Sequence, residues 1–145
     1  MDSLDARIDA LKKMPLMVSL PHGELEAVAK RMAIESYEEG TEIIKQGSSG
    51  SSAYFVVSGK CDVRRGPKKS TRRIAFLEAG DFFGELSIIS PAPRSATVVA
   101  HEATVVLVLT GYEFRSALSS NRSMALHLVK ILAQRLQREI DEFGG

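Results

Sequence analysis

The sequence has no tryptophan and a single cysteine, Cys61, among its 145 residues. A lone cysteine excludes a disulfide within the chain, and this cysteine usage suits a reducing compartment. The longest purely apolar run, Val105–Leu109, is far shorter than the roughly 20 residues that cross a bilayer. The N-terminal stretch MDSLDARIDALKK alternates in charge and lacks the apolar core of a secretion signal. We therefore expect a cytoplasmic location and no insertion of this segment into a membrane.

The chain also lacks an excess of charge of either sign and any cluster of metal-binding side chains. Lys and Arg total 19 against 18 for Asp and Glu, a net charge of +1, so attraction to nucleic acid is not implied. His22, His101 and His127 are scattered, and no pair of them has the close spacing of metal ligands. No nucleophile with a neighbouring base is evident. We expect no nucleic-acid partner, no catalytic residue, no metal and no cofactor.

What the chain does have is enough hydrophobic residues, 44% of the total, to build the core of one domain over residues 1–145. Near the N-terminus, leucine and isoleucine recur at helical spacing before Pro15. Pro21 then opens a second amphipathic helix. We assign residues 1–36 to these N-terminal helices.

The middle of the chain, residues 37–110, has the pattern of short strands separated by turn residues. The expected strands are Thr41–Lys45, Ala53–Ser58, Cys61–Arg65, Ile74–Leu77, Thr97–Ala100 and Thr104–Leu109. Many short strands with no long helix between them predict an antiparallel β-roll, similar to a jelly roll. With helices at both ends, the predicted fold class is α+β.

Helices are expected again over residues 111–145. Gly111–Leu118 forms a short helix, and Asn121 is a good N-cap for a longer helix that runs to about Phe143. This last helix carries an apolar stripe that we expect to cover the open side of the β-roll. The stripe consists of Met124, Leu128, Ile131, Leu132, Leu136 and Ile140.

One stretch, FFGELSIISPAPRSATVVA at residues 82–100, brings one acid and one base, Glu85 and Arg94, into an apolar neighbourhood. Gly84 lets the backbone come close to a ligand, and the free N–H groups of the turn that follows can hold an anion. Pro93 fixes the backbone so that Arg94 points to the same place, where its planar fork can bond two phosphate oxygens. The stretch therefore has the parts of a phosphate site.

Glu85 would repel a phosphate, but the conflict disappears if its carboxylate accepts a hydrogen bond from a sugar hydroxyl. With Arg94 on the phosphate, the two side chains then describe a compact ribose-phosphate ligand. The alternative is a structural salt bridge between Glu85 and Arg94 with no ligand. The glycine, the prolines and the small residues around the pair favour a ligand site, because a salt bridge needs none of them.

The pattern F-G-E-L-x-x-x-x-x-x-P-R-x-A-T, present at residues 83–97, resembles the phosphate-binding cassette of cyclic nucleotide-binding domains. These are the domains of cyclic AMP receptor proteins, protein kinase regulatory subunits and cyclic nucleotide-gated channels. The resemblance covers nearly the whole chain, because Gly40, Gly47 and Gly59 also fit the family's β-roll. It implies a regulatory sensor for a cyclic nucleotide, with the cassette at residues 82–97, and not an enzyme.

By position, the resemblance implies that Glu85 accepts from the ribose 2′-hydroxyl and that Arg94 binds the cyclic phosphate. The other implied ligand-binding residues of the cassette are Phe83, Gly84, Leu86, Ser87, Pro93, Ser95 and Ala96. A hydroxyl at Ser95 leaves cyclic GMP open, since it can bond the guanine 2-amino group or the phosphate. The sequence PRSAT is similar to bacterial channel domains that prefer cyclic AMP, which we therefore favour over cyclic GMP.

The resemblance also implies that the last helix closes over the base as a lid, with Leu132, Arg135 and Leu136 as candidate lid residues. Arg135 has two interpretations: it stacks on the purine, or it stays in solvent paired with Glu139 four residues away. Movement of the helix would be the output to an effector domain or partner that the sequence does not identify. If the chain belongs to a larger protein, that protein is a channel, a transporter or a kinase.

Two alternatives remain open from the residues alone. The first is that the β-roll is an empty protein interaction module that does not bind nucleotide. The basic loop Gly66–Arg73 is either a solvated hairpin tip, which we favour, or a partner surface or phosphorylation site.

Overall fold

The structure is a computed structural model that describes residues 3–67 and 69–144. The helices are α1 (Leu4–Lys12), α2 (His22–Arg31), α3 (Leu86–Ile89), α4 (Gly111–Ser120) and α5 (Arg122–Gly144). The strands are β1 (Ala33–Tyr37), β2 (Glu42–Ile44), β3 (Ser52–Ser58), β4 (Lys60–Arg65), β5 (Arg72–Glu78), β6 (Phe82–Phe83), β7 (Thr97–Ala100) and β8 (Thr104–Thr110). No helix in these two described ranges is long and apolar enough to cross a membrane.

The strands form two sheets of four, in the orders β1-β8-β3-β6 and β2-β7-β4-β5. Every strand pair in them is antiparallel. The chain crosses between the two sheets at every connection except the β4–β5 hairpin, and the predicted β-roll in an α+β fold with helices at both ends is confirmed. The sheet order also brings β6 and β7, which flank the cassette, into different sheets.

The hydrophobic core has two parts. The larger part lies where the helices pack on the first sheet, and its fully buried side chains include Leu11, Phe55, Leu107 and Phe114. The smaller part lies between the sheets and includes Val56, Cys61, Phe83, Val98 and Val106. Burial of large apolar side chains on this scale anchors the terminal helices to the β-roll.

Helix α5 begins as the sequence predicts. The side-chain oxygen of Asn121 accepts a hydrogen bond from the N–H of Met124 at 3.0 Å, so Asn121 is the N-cap. Met124 and Leu128 are buried in the core. The expected apolar stripe is wrong in its last third, because Leu136 is 57% exposed and Ile140 is 50% exposed. These two residues lie past the point at which the helix contacts the core.

Two strands were not expected from the sequence. Residues 33–36 are not helical, because β1 begins directly after α2 and pairs with β8 along its whole length. The two-residue strand β6 precedes the cassette turn and pairs with β3.

The basic loop expected over Gly66–Arg73 is shorter in the structure, because β5 already begins at Arg72, and its Lys68 lies outside the described residues. Buried Asp62 holds one side of the hairpin in place, with its carboxylate oxygens 2.8 Å from Arg73 Nε and 3.0 Å from Arg64 Nη1. Burial would raise the pKa of Asp62, but the hydrogen bonds from Arg73 and Arg64 hold it below its ordinary value.

Candidate functional site

The cassette begins at a glycine that the structure requires. Gly84 connects β6 to α3 with φ at +86°, in the left-handed region that favours glycine. A Cβ at this position would lie 2.8 Å from the Ser52 carbonyl oxygen and 2.9 Å from Arg94 Nη1. Gly84 therefore allows the chain to turn and lets the arginine side chain pass close to the backbone.

Arg94 is 5% exposed and is held by the backbone on two sides. Its Nη1 donates to the Gly84 carbonyl at 2.6 Å, and its Nη2 donates to the Ser52 carbonyl at 3.1 Å. The Arg94 backbone also exchanges hydrogen bonds of 2.8 Å with the preceding loop, through Gly47 N–H and the Ser48 carbonyl. Contacts with the protein backbone alone thus fix the orientation of the guanidinium.

Glu85 is 3% exposed and stands at the N-cap position of α3. Its side-chain oxygen Oε1 lies 3.0 Å from Nη1 of Arg135 on α5. Burial raises the pKa of Glu85, and the positive charges of Arg135 and Arg94 partly offset that rise. Of the groups that favour the ionised form of this buried carboxyl, the Arg135 guanidinium has the largest effect on its pKa.

Arg135 makes three contacts with the cassette end of the β-roll. Besides Glu85, its Nη2 donates to the Phe82 carbonyl at 2.8 Å, and its guanidinium lies 4.4 Å from the centroid of the Phe82 ring. The predicted pair of Arg135 with Glu139 is therefore wrong. Each of the two side chains instead reaches the β-roll, Arg135 at Glu85 and Glu139 at Arg65 of β4. Local spacing favoured the i,i+4 pair, but the folded chain offers Arg135 a buried carboxylate.

The alternative considered for Glu85 and Arg94, a salt bridge between the two, is not what these residues form. Arg94 bonds the carbonyl of Gly84, the residue directly before Glu85, whereas the Glu85 carboxylate pairs with Arg135. The two predicted anchors are therefore brought together, each with a separate protein partner.

The other predicted site residues differ in exposure. Phe83 and Ala96 are buried, and Gly84 and Ser87 are half-buried. Leu86, Pro93 and Ser95 are exposed. Of the candidate lid residues, Leu132 packs partly on the core and Arg135 reaches Glu85, whereas Leu136 is exposed.

Sequence analysis missed three residues that hold this region together. Gly50 lies against the Arg94 guanidinium, and Ser52 supplies one of its carbonyl acceptors. Arg65 donates from Nε to the Ser95 carbonyl at 3.1 Å. Gly50 and Ser52 belong to a segment whose sequence predicts only a Gly/Ser turn. Successive arginines at a hairpin predict solvent-exposed side chains. Nothing local in the sequence signals these long-range contacts.

A cavity of about 430 Å³ adjoins Arg94 on the side of this Gly/Ser loop. Strand β2 and Tyr54 supply the rest of its walls, so it lies beside the guanidinium and apart from Glu85. Among residues 3–67 and 69–144, no group of three or more His, Cys, Asp or Glu side chains is placed to hold a metal ion.

Comparisons with known proteins point to one family. Residues 34–121, more than half of the chain, match the family model described as "Cyclic nucleotide-binding domain". The chain is 35% identical over 101 residues to the cAMP-dependent protein kinase regulatory subunit of Debaryomyces hansenii, which covers 70% of this chain and 22% of that protein. It is 30% identical over 129 residues to a Rhodopseudomonas palustris protein named as a potassium channel protein, covering 89% of this chain and 31% of the relative. The chain spans less than a third of the length of either relative.

Two solved structures have the same fold. The regulatory domain of Toxoplasma gondii PKA with cAMP has a TM-score of 0.82 and 27% identity, over 90% of this chain and 50% of that one. The catabolite activator protein of Thermus thermophilus has a TM-score of 0.79 and 30% identity, over 90% of this chain and 62% of that one. Each likeness extends beyond the residues that the family model matches.

Proposed function

Because the chain belongs to the cyclic nucleotide-binding domain family, we propose that it binds a cyclic nucleotide in the cassette and acts as a regulatory sensor, not as an enzyme. The observation that carries this proposal is the placement of Glu85 and Arg94: both side chains are buried, and Arg94 bonds the carbonyl of Gly84 directly before Glu85. A buried acid and a buried base so close to one backbone turn fit a ligand that has a hydroxyl and a phosphate a few ångströms apart.

In this proposal Arg94 binds the cyclic phosphate and Glu85 accepts a hydrogen bond from the ribose 2′-hydroxyl. Carbonyl contacts already set the plane of the Arg94 guanidinium, so little ordering remains to be done when the phosphate arrives. Phe83, Gly84, Leu86, Ser87, Pro93, Ser95 and Ala96 would line the rest of the site. The ligand is a signal, and no cofactor or metal is needed.

We propose a preference for cyclic AMP over cyclic GMP. Relatives named as cAMP-dependent kinase regulatory subunits, and a related domain solved with cAMP, support this order. The hydroxyl of Ser95 keeps cyclic GMP as a second ligand, because it offers the guanine 2-amino group an acceptor.

The proposed output is a change in the position of α5. Arg135 holds the helix to Glu85, the same carboxylate that would receive the ribose hydroxyl. A ligand at Glu85 therefore changes the contacts of the lid, and only such differential contacts can shift its position. Leu132 packs partly on the core and would move with the helix. Leu136 is exposed, so it would have to rotate inward to contact a base. The effector that responds is either another domain of a longer chain or a separate partner protein.

A second candidate function, an interaction module that binds no nucleotide, is favoured by one observation. Glu85 and Arg94 already have protein partners, so the site is satisfied by its own atoms. A thermal-shift assay with cyclic AMP, cyclic GMP and the linear 5′-monophosphates separates the two functions, because a ligand that binds only the native state raises the melting temperature. We expect the cyclic nucleotides to raise the melting temperature. If none of the nucleotides shifts it, the interaction module is the better account of the function.

Calorimetry on variants tests the proposed roles of the two anchors. Arg94→Ala is expected to lose most of the affinity for either cyclic nucleotide, and Arg94→Lys to recover little, because a point charge does not reproduce the planar fork. Glu85→Ala should weaken binding of cyclic AMP more than binding of its 2′-deoxy analogue. Wild-type affinity in Arg94→Ala, or equal losses for both ligands in Glu85→Ala, would remove the corresponding assignment.

A further inference from the structure

Helix α5 is joined to the β-roll at a second point, one turn beyond Arg135. Glu139 Oε1 lies 3.5 Å from Nη1 of Arg65, which is the last residue of β4. Residues four apart on a helix share one face and lie roughly 5–6 Å from each other at their Cβ atoms. Arg135 and Glu139 therefore form a row of two ion pairs along the inner face of the lid.

Arg65 connects this row to the cassette. Its Nε donates to the backbone carbonyl of Ser95 at 3.1 Å, while its Nη1 faces Glu139. Ser95 directly follows Arg94, the proposed phosphate ligand. A single guanidinium thus spans from the far end of the cassette to the lid helix.

The connections form a closed circuit around the site. From Glu85 the path runs through Arg135 to Glu139 on α5, then through Arg65 to Ser95, and back to Glu85 along the cassette. Arg135 pairs with Glu85 near the start of the cassette, and Glu139 pairs with Arg65, which bonds Ser95 near its end, so the helix is held at two separate points. Two contacts on one rigid helix reinforce each other, because the first reduces the freedom that the second must remove.

We propose that Arg65 is a positioning residue of the nucleotide site, which holds α5 closed by pairing with Glu139 while it is anchored on Ser95. The inference that Arg65 serves a nucleotide site rests on the proposed function, but the position of α5 can be measured without nucleotide. The Arg65–Glu139 pair uses neither Glu85 nor the Arg94 guanidinium, so it can persist when those groups hold a ligand. It therefore stabilises the closed lid with and without nucleotide.

The magnitude is bounded by exposure. The side chains of Arg65 and Glu139 are 40% and 43% exposed, and ion pairs at such positions contribute modestly. Removing the pair should therefore raise the open-lid population about threefold to fivefold. Arg65→Lys should behave like a loss, because an ammonium does not bond a carbonyl and a carboxylate in the fixed directions of the guanidinium fork.

The test is a distance measurement on the 145-residue chain in the absence of nucleotide. Spin labels placed at Ser36→Cys on β1 and Gln134→Cys on α5 report the lid position, since both sites are exposed and native Cys61 is buried. Arg65→Gln and Glu139→Gln should each increase the long-distance population threefold to fivefold. The double variant should go no further, because either single variant already removes the pair.

The matched control is Glu142→Gln, which removes a carboxylate at an exposed position of the same helix, about one turn nearer its C-terminus. It should leave the distances unchanged. Unaltered distances in Arg65→Gln, additive effects in the double variant, or an equal effect of Glu142→Gln would overturn the positioning role.

A binding arm separates this inference from the proposed function. With cyclic AMP, Arg65→Gln should increase the dissociation rate threefold to fivefold and leave the association rate nearly unchanged. The reason is that the lid closes only after the ligand has docked, so a weaker lid contact speeds release and does not slow entry. If the distances respond as expected but cyclic AMP does not bind the wild-type chain, the lid contact stands and the proposed function fails. If cyclic AMP binds in an Arg94-dependent way but distances and dissociation are unaffected, the role of Arg65 fails alone.

Discussion

Substitution of Gly50 by alanine tests whether the fixed orientation of Arg94 matters. A Cβ at Gly50 would lie 2.5 Å from Cζ of Arg94, and closer still to its Nε and Nη2. The φ angle of Gly50 is outside the left-handed region, so alanine meets no backbone strain there. The guanidinium would have to retreat by about 1 Å to reach an ordinary van der Waals distance. Gly50→Ala therefore displaces one side chain without changing its charge.

The retreat lengthens the hydrogen bonds from Arg94 to Gly84 and Ser52, which are 2.6 and 3.1 Å. Loss of one charge-assisted hydrogen bond costs about 1.5–3 kcal/mol. For a domain of this size, that loss lowers the melting temperature by roughly 4–9 °C. If the phosphate uses the same orientation, affinity for cyclic AMP should fall by at least about tenfold. Differential scanning calorimetry and isothermal titration measure the two effects separately.

Two comparisons make the result decisive. Gly23→Ala places a Cβ in α2 where no atom lies within 4 Å, so it should leave affinity unchanged and stability equal or slightly higher. In an Arg94→Ala background the guanidinium is gone, and Gly50→Ala should then have almost no effect on stability. A penalty of the same size in both backgrounds would show that the clash with Arg94 is not its cause, and the argument for a preset guanidinium would fail.

Three further outcomes follow from the structure. Since burial raises the pKa of Glu85 and an ionised carboxylate is needed for the ribose, affinity for cyclic AMP should begin to fall with decreasing pH earlier than for an ordinary carboxyl, and titration of Glu85→Gln should show no such fall. The pKa of Asp62 is lowered by Arg73 and Arg64, so its stabilisation is present above the ordinary Asp value and is lost as pH falls through the folded value. Asp62→Asn should therefore lower the free energy of unfolding at neutral pH by about 1–2 kcal/mol and flatten its acid dependence in urea titrations. Phe114→Ala, at a fully buried position of α4, should cost about 3–5 kcal/mol, and a cost under 1 kcal/mol would contradict the described packing.

The fold was predictable where local chemistry and tertiary structure agree. Alternating short strands and turn glycines predicted the β-roll, and Asn121 was identified as an N-cap that the structure confirms. β1 was missed because no turn residue separates it from α2, and its strand geometry comes from pairing with β8. β6 has only two residues, too few to show a pattern, and exists because it pairs with β3.

The site was predictable in its composition but not in its partners. The spacing of Glu85 and Arg94 singled out both anchors, since their setting is unusual for charged residues. The contact between Arg135 and Glu85 joins residues 50 positions apart. Sequence offered Arg135 a nearer partner, Glu139, and only the packing of α5 decides between the two.

Only the first part of α5 is buried in the core, so the rest of the helix can act as a lever. Leu128 is packed in the core, and the helix continues from there to Gly144, a length of about 24 Å at 1.5 Å per residue. A tilt of roughly 10° about Leu128 shifts the backbone at Arg135 by about 2 Å and the far end by about 4 Å. A shift at Arg135 that is just large enough to break one hydrogen bond is thus about doubled at the C-terminal end of the helix, where any attached domain would be displaced with it.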